Sequence, residues 1–377
     1  MVKKKFSKPP ELDKRYKIDV MHARSLEGNP LGSPVKRDLR IYLPPGYFDN
    51  ENEKYPVIYF LHGYNGSNGS WTIVSEKESD STIPYKLLPK DVLELLDLDR
   101  LLNYEKIDEL INKGDLPPFI LVQPDASLHV LPKSGKKLIS LSPPNRGSFY
   151  LNSPSTGNYR DFIIKDVISH VDSNYRTLAN KQKRALMGGS MGGYGTISIA
   201  IFHPDKFIAA SSLSPGNVSP DPEMLEHKLV IPFLEKILGG KWAARMGKTT
   251  WTDILDSVDL VFSGENRLLD SIKRNENGEI VDVNMESFKN WEAKDLKFVI
   301  KKHPDALKKV HLQLNCDIND EFGLTKPAKK IHRTLKRLGI EHEFEIYSDP
   351  KTVLSPHIVG IGYHILPGIQ FCCKYFS

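Results

Sequence analysis

A short apolar run, Arg184-Ala185-Leu186-Met187, enters Gly188-Gly189-Ser190-Met191-Gly192-Gly193, and a helix-like stretch follows from Tyr194 to Phe202. No other feature of the chain constrains it as tightly. The pattern G-x-S-x-G between a strand and a helix calls for a sharp, strained turn. Side chains two before and two after the serine would collide, so glycine stands at both places. The turn lifts the Ser190 hydroxyl above the sheet edge and sets it at the start of the next helix. That helix terminus, with the Met191 backbone N–H, is suited to stabilise negative charge developing on an oxygen. A glycine-rich turn with an incidental serine would look the same in isolation, so the reading depends on partners elsewhere in the chain.

The rest of the sequence supplies an architecture for such a turn. Leu39–Leu43 alternates like a half-buried strand and stops at Pro44-Pro45-Gly46. Val57–Leu61 and Phe119–Val122 are continuous apolar runs, as expected of strands covered on both faces. Further strands are expected at Phe207–Ser211, Val310–Leu314 and His342–Tyr347, and helices at Asp161–Val171 and Ala328–Gly339. Strands alternating with helices predict an α/β protein with a mostly parallel central sheet and helices on both faces. The expected organisation is a single domain over 1–377. Within it the stretch 220–307 breaks the rhythm and reads as an insertion or cap before the strand at 310, with helical fragments at Met224–Leu238 and Trp291–Lys302. Asp125–Gly157, rich in Ser, Pro and Gly, reads as a long loop near a site.

A nucleophilic serine needs a base, and the base needs a group to orient it. In this architecture the order along the chain is Ser, acid, His. Val310–Leu314 leads into a loop with three carboxylates, Asp317, Asp320 and Glu321. Asp317 is close enough to the strand end to suit a turn role, and Asp270 inside the 220–307 stretch is an outside candidate. Two histidines follow the last strand. His357 comes after Ser355-Pro356, in what reads as a long loop, Ser348–Tyr363. His364 closes Gly360-Ile361-Gly362-Tyr363 and opens the last apolar stretch, Ile365–Phe376. The glycines before His364 would let the chain turn back over the sheet edge, so His364 is the expected base. After the strand Val57–Leu61, the loop His62-Gly63-Tyr64-Asn65-Gly66 would offer the Tyr64 backbone N–H as a second donor beside Met191.

Composition removes competing classes. The chain has 377 residues, 52 Lys and Arg against 47 Asp and Glu, and a net charge of +5. So mild a balance, with basic and acidic residues interspersed, does not call for nucleic acid, and Lys3-Lys4-Lys5 reads as a solvated tail. No run of 18 apolar residues is present, so no membrane-spanning helix is expected. Three cysteines, Cys316, Cys372 and Cys373, do not make a disulfide framework and read as buried thiols. There is no H-E-x-x-H, C-x-x-C, P-loop or dinucleotide motif, so neither metal nor organic cofactor is expected. The N-terminal residues lack an apolar leader. The chain therefore reads as cytoplasmic as it stands, or as secreted if a leader has been removed.

Taken together, these residues resemble the esterase D-like esterase family of α/β-hydrolases, which includes feruloyl and acetylxylan esterases, S-formylglutathione hydrolases and mycolyltransferases. The resemblance runs along most of the chain: Gly28–Gly32, Arg40–Tyr47, Tyr55-Pro56 through His62-Gly63, Asp172 with Tyr175-Arg176-Thr177, the Ser190 turn with His203-Pro204, Asn319-Asp320, and Gly362-Tyr363-His364. It implies an α/β-hydrolase fold, Ser190 as nucleophile, Asp320 as acid and His364 as base, with the N–H groups of Tyr64 and Met191 as oxyanion donors. The loop before His364 is longer than the family's, Tyr363 stands where the family often has glycine, and 220–307 is longer than its counterpart. The expected function is that of a serine carboxylesterase working through an acyl-enzyme, with small-molecule or carbohydrate esters, such as feruloyl or acetyl esters, as substrates. Acyl transfer with the same triad is the first alternative, and a non-catalytic binding protein on a hydrolase scaffold the second. The oligomeric state is not legible.

Overall fold

The computed structural model describes residues 14–69, 96, 97, 100–129, 145–227, 229, 235, 239–264, 266–352 and 354–376. Lys3-Lys4-Lys5, the middle of the Asp125–Gly157 loop and most of the stretch expected to be helical at Met224–Leu238 lie outside them.

Eight strands form one sheet: β1 (Tyr16–His22), β2 (Lys36–Tyr42), β3 (Val57–Leu61), β4 (Ile120–Pro124), β9 (Arg184–Gly189), β10 (Ala209–Leu213), β13 (His311–Asp317) and β14 (Glu343–Tyr347). The intervening numbers belong to short ladders: β5 (Ser127–His129) with β6 (Asn145–Gly147), β7 (Asn152–Ser153) with β8 (Gly157–Asn158), and β11 (Lys273–Arg274) with β12 (Ile280–Asp282). The sheet order is β1-β2-β4-β3-β9-β10-β13-β14. The pairs β1–β2 and β2–β4 are antiparallel, and every pair from β4 to β14 is parallel. The expected α/β class with a mostly parallel sheet is what forms.

The sheet separates two cores, and β3 shows why its sequence is apolar throughout. Val57, Tyr59 and Leu61 point into one core, and Ile58 and Phe60 into the other. A strand whose two faces are both covered reads as a near-continuous apolar run. Helix α1 (Tyr104–Lys113) starts at Asn103, whose side chain accepts from the Glu105 N–H, and stops at Gly114 in the left-handed region at φ 80°. An irregular helix then runs through Tyr159–Asp161, Phe162–Val167 and α2 (Ile168–Asn174). Helix α3 (Met191–Phe202) is buried almost along its length and lies directly against the sheet.

Between β10 and β13 come α4 (Pro222–Leu225), α5 (Gly240–Phe262), α6 (Met285–Glu292) and α7 (Leu296–Lys302). Two buried carboxylates tie this stretch together. Asp259 accepts from the Leu268 and Leu269 N–H groups at 2.8 and 3.0 Å and from the Ser263 hydroxyl. Asp295, at the start of α7, accepts from Asn217 Nδ2 at 3.1 Å and from the Ser219 hydroxyl at 2.5 Å, which fastens α7 to the loop after β10. Helix α8 (Thr325–Arg337) precedes β14, and α9 (Pro356–Cys373) follows it. Cys316, Cys372 and Cys373 are free, buried thiols, as expected. Among the described residues no helix is long and apolar enough to cross a membrane.

Candidate active site

Because β3, β9, β10, β13 and β14 run parallel, their carboxyl ends share one edge of the sheet, where open α/β sheets bind ligands. Ser190 follows β9 there with φ 59° and ψ −119°, a conformation that a residue with a side chain adopts at a cost of about 1–3 kcal/mol. The strained turn is held from several sides. The Ser190 N–H donates to the Leu213 carbonyl at 2.9 Å, and the Ser190 carbonyl accepts from Gly216 at 2.7 Å and Tyr194 at 3.0 Å.

The glycines around Ser190 are required by contact. A Cβ on Gly188 would stand 2.4 Å from the Gly192 carbonyl oxygen, and one on Gly192 would stand 2.1 Å from the Leu61 carbonyl oxygen. We expect Gly192→Ala to destabilise the fold by about 3 kcal/mol, since the atoms it meets are backbone and cannot swing aside. A midpoint in urea within experimental error of the wild-type value would contradict this.

The same close approach joins the Ser190 turn to the loop after β3, because a Cβ on Gly192 would also lie 2.9 Å from the His62 carbonyl oxygen. That loop carries Tyr64. Met191 is the first residue of α3, where a helix leaves its N–H groups without intrahelical acceptors. The Tyr64 and Met191 side chains both crowd Gly147 on β6, at 2.7 and 2.6 Å from the position of a Cβ there. The two expected oxyanion donors thus sit on adjoining segments. His62 braces the first of them. Its Nε2 accepts from the Ala126 N–H at 3.0 Å, so its Nδ1 carries the proton and donates to the Gly63 carbonyl at 2.8 Å. Burial holds the ring below the usual histidine range, which keeps it neutral. Helix α5 closes over this region: the Tyr64 hydroxyl donates to the Asp253 carbonyl at 2.9 Å, and Arg146 pairs with Asp256 at 2.5 Å.

After β13 the chain turns through the three candidate carboxylates. Asp317 accepts from the Asn319 N–H at 2.8 Å and from the Thr352 hydroxyl at 3.1 Å, a turn-forming arrangement. Asp320 is buried; its Oδ1 accepts from the Phe322 and Leu324 N–H groups at 3.0 and 3.3 Å. Its Oδ2 lies 2.6 Å from Nδ1 of His357, which is 3% exposed. A carboxylate accepts, so Nδ1 donates and Nε2 is left with its lone pair. Burial opposes a charge on this ring, but the charge and hydrogen bond of Asp320 and then the charge of Glu321 outweigh it. The His357 pKa is raised above the ordinary value. Asp270 lies exposed in a turn of the 220–307 stretch.

His364, the expected partner of Asp320, is not brought to it. The His364 Nδ1 lies 2.8 Å from the Gly360 carbonyl, and the ring stacks on Tyr347 with centroids 3.8 Å apart. Ser348–Tyr363 is not one long loop, and that keeps His364 away from Asp320. Helix α9 begins at Pro356, with Ser355 as its N-cap accepting from the Ile358 N–H, so Gly360 and Gly362 lie inside a helix and make no turn. Those glycines serve close packing: a Cβ on Gly360 would stand 2.7 Å from Tyr347 Oη, and one on Gly362 would stand 2.6 Å from Leu101 Cδ2. His357 and His364 share a helix face, but seven residues separate them by about 10 Å along the axis. The overlooked signal was Ser355-Pro356, a serine N-cap followed by proline at the first helical position.

Two further supports of the site had no isolated motif to betray them. Glu321 Oε2 accepts from the His357 backbone N–H at 2.8 Å, and its Oε1 accepts from the Ser355 hydroxyl. His227 Nε2 donates to the Glu321 carbonyl at 2.8 Å, and the His227 ring lies edge-on to Trp251 of α5. Among the described residues no group of three His, Cys, Asp or Glu side chains is placed to hold a metal ion.

A fold of this kind, with a strained serine at the carboxyl edge of its sheet, defines the α/β-hydrolase class. The family model described as "Putative esterase" matches residues 33–337, and the chain belongs to that esterase family. It is 26% identical over 197 residues to an endo-1,4-beta-xylanase/feruloyl esterase of Xylanibacter ruminicola, a match covering 50% of this chain and 22% of that protein. It is 29% identical over 132 residues to esterase Rv1288 of Mycobacterium tuberculosis, covering 33% of this chain and 28% of the relative. The matches thus span roughly a quarter of the curated relatives' length. A solved ferulic acid esterase superposes with a TM-score of 0.56 at 16% identity, over 96% of this chain and 97% of the other, and shares the fold.

Proposed function

We propose that the chain is a serine carboxylesterase with Ser190 as nucleophile, His357 as general base and Asp320 as the group that orients and charges that base. The observation that carries the reading is the buried His357–Asp320 pair, 2.6 Å apart, at the sheet edge that also bears the Ser190 turn. His357 takes the hydroxyl proton through Nε2 as Ser190 Oγ attacks the ester carbonyl. The N–H groups of Met191 and Tyr64 hold the negative oxygen. The alcohol leaves with the proton, and water releases the acid by the same steps in reverse order. The esterase family membership and a relative named for feruloyl esterase activity support carboxylic esters as the substrate class, with feruloyl or acetyl esters of carbohydrates as the first to try.

The experiment is labelling with a fluorophosphonate, followed by peptide mass spectrometry. The adduct is expected on the peptide containing Ser190, alongside turnover of aryl esters from acetate to decanoate and of methyl ferulate. An intact, folded protein that takes no label and turns over none of these esters would end the esterase reading. Within the acid loop, Asp320→Asn should lower kcat/KM about 10³-fold, by disturbing the tautomer and charge of the base, whereas Asp317→Asn should cost less than about tenfold. The reverse order in two folded variants would move the acid to Asp317.

A further inference from the structure

Asp320 and Glu321 are neighbours in sequence, and both side chains are buried against the start of α9. They hold different parts of one residue. Asp320 takes the imidazole of His357 through Nδ1 at 2.6 Å. Glu321 takes its main chain, accepting the His357 N–H at 2.8 Å, and with its other oxygen takes the hydroxyl of Ser355, the N-cap of the same helix. Ser355 Oγ in turn accepts from the Ile358 N–H at 3.1 Å, so the first turn of α9 hangs from one carboxylate. The Glu321 carbonyl is fixed independently by His227 at 2.8 Å, and the ring of Phe322 lies 4.7 Å from that of His357.

We propose that Glu321 is a positioning residue: it clamps the backbone of His357 against the acid loop and sets a second negative charge behind the imidazolium that forms during the reaction. The inference rests on the reading of His357 as the base. A buried carboxylate used only as a helix cap would need no second anion beside it, and the Asp320–Glu321 pair incurs repulsion that a single cap avoids. Burial, and then the charge of Asp320, push the Glu321 pKa up to about 7, while His357 and the Ser355 hydroxyl pull it down. The titratable groups that face it are Asp320 on its own loop, His357 on α9 and His227 across its carbonyl. When His357 gains a proton, Glu321 is the better able to stay ionised, so the two charges support each other.

The test is the pH profile of kcat/KM on an aryl ester for wild type, Glu321→Gln and Glu321→Ala, with His357→Ala run alongside. Glu321→Gln keeps the size of the side chain and removes its charge: the amide oxygen can still accept the His357 N–H, while the amide NH2 donates to Ser355 Oγ in place of the hydroxyl donating to Glu321. The imidazolium then loses an opposite charge, its pKa falls, and the acid limb should move down by about one pH unit. Glu321→Ala removes the clamp and should lower kcat about 10- to 100-fold with KM within about twofold, because the base is displaced and ester binding is untouched. An acid limb that stays in place in Glu321→Gln overturns the proposal, whether or not the alanine variant folds. A folded Glu321→Ala with wild-type kcat, or with a loss confined to KM, also overturns it. If His357→Ala keeps its turnover, the assignment of the base has failed; if it is inactive while both Glu321 variants behave as wild type, only the role of Glu321 has failed.

Discussion

Ser190→Ala is expected to leave a folded protein that hydrolyses esters at least about 10⁴-fold more slowly and takes up no fluorophosphonate. The expectation of an intact fold comes from the turn. Ser190 sits at φ 59° between two elements held by backbone hydrogen bonds to Leu213, Gly216 and Tyr194, none of which uses its hydroxyl. Alanine has the same backbone restrictions as serine, so the strain is unchanged. On the proposed mechanism the variant lacks the atom that attacks the ester, and the N–H groups of Tyr64 and Met191 would then assist only direct attack by water. Rates would be compared by burst and steady-state kinetics, with circular dichroism to confirm the fold. A variant that keeps more than about a tenth of wild-type kcat/KM would show that another residue carries the chemistry.

The second large effect separates two histidines on one helix. His357→Ala is expected to lower kcat/KM by at least about 10⁴-fold and to slow organophosphate labelling in parallel, since Ser190 loses its base. His364→Ala is expected to stay within about fivefold of wild type, because its removal costs stacking on Tyr347 and a bond to the Gly360 carbonyl but no proton acceptor. That packing loss should appear as stability, on the order of 1 kcal/mol, rather than as rate. Both variants would be assayed on the alkaline side of the wild-type pH profile, because a raised pKa moves the neutral form of this imidazole to higher pH. An inactive His364→Ala beside an active His357→Ala would exchange the two roles.

Much of the fold was legible because its elements follow from local rules. β3 is apolar at every position since both of its faces are covered, and the Ser190 turn announces itself through glycines that the crossing of β9, α3 and β3 makes unavoidable. The acid loop was legible as a cluster, because Asp320 follows a strand whose ends the apolar pattern marked. The histidine that pairs with Asp320 was harder, and the difficulty was physical. Glycine relieves crowding in two ways, by permitting a turn or by permitting contact, and the sequence does not say which. Gly360 and Gly362 look like a turn, yet they stand in α9 because Tyr347 and Leu101 press against it. Proline was equally ambiguous. Pro356 after Ser355 opens a helix, but in isolation it resembles another interruption of a loop. Glu321 was invisible as anything other than a third carboxylate, since its partners, the Ser355 hydroxyl and the His357 N–H, lie 34 and 36 residues further along the chain.

The position of His357 in the first turn of α9 bears on how this chain can change length. Each residue of a helix turns the next by about 100°, so one residue inserted or deleted between the Ser355 cap and His357 would swing the imidazole away from Asp320. Relatives of this protein can therefore differ in size ahead of Ser355 and among the helices between β10 and β13 and still keep the pair in register. The three residues from Ser355 to His357 have no such latitude, and a gap or insertion falling there would mark a descendant that has given up the His357–Asp320 pair.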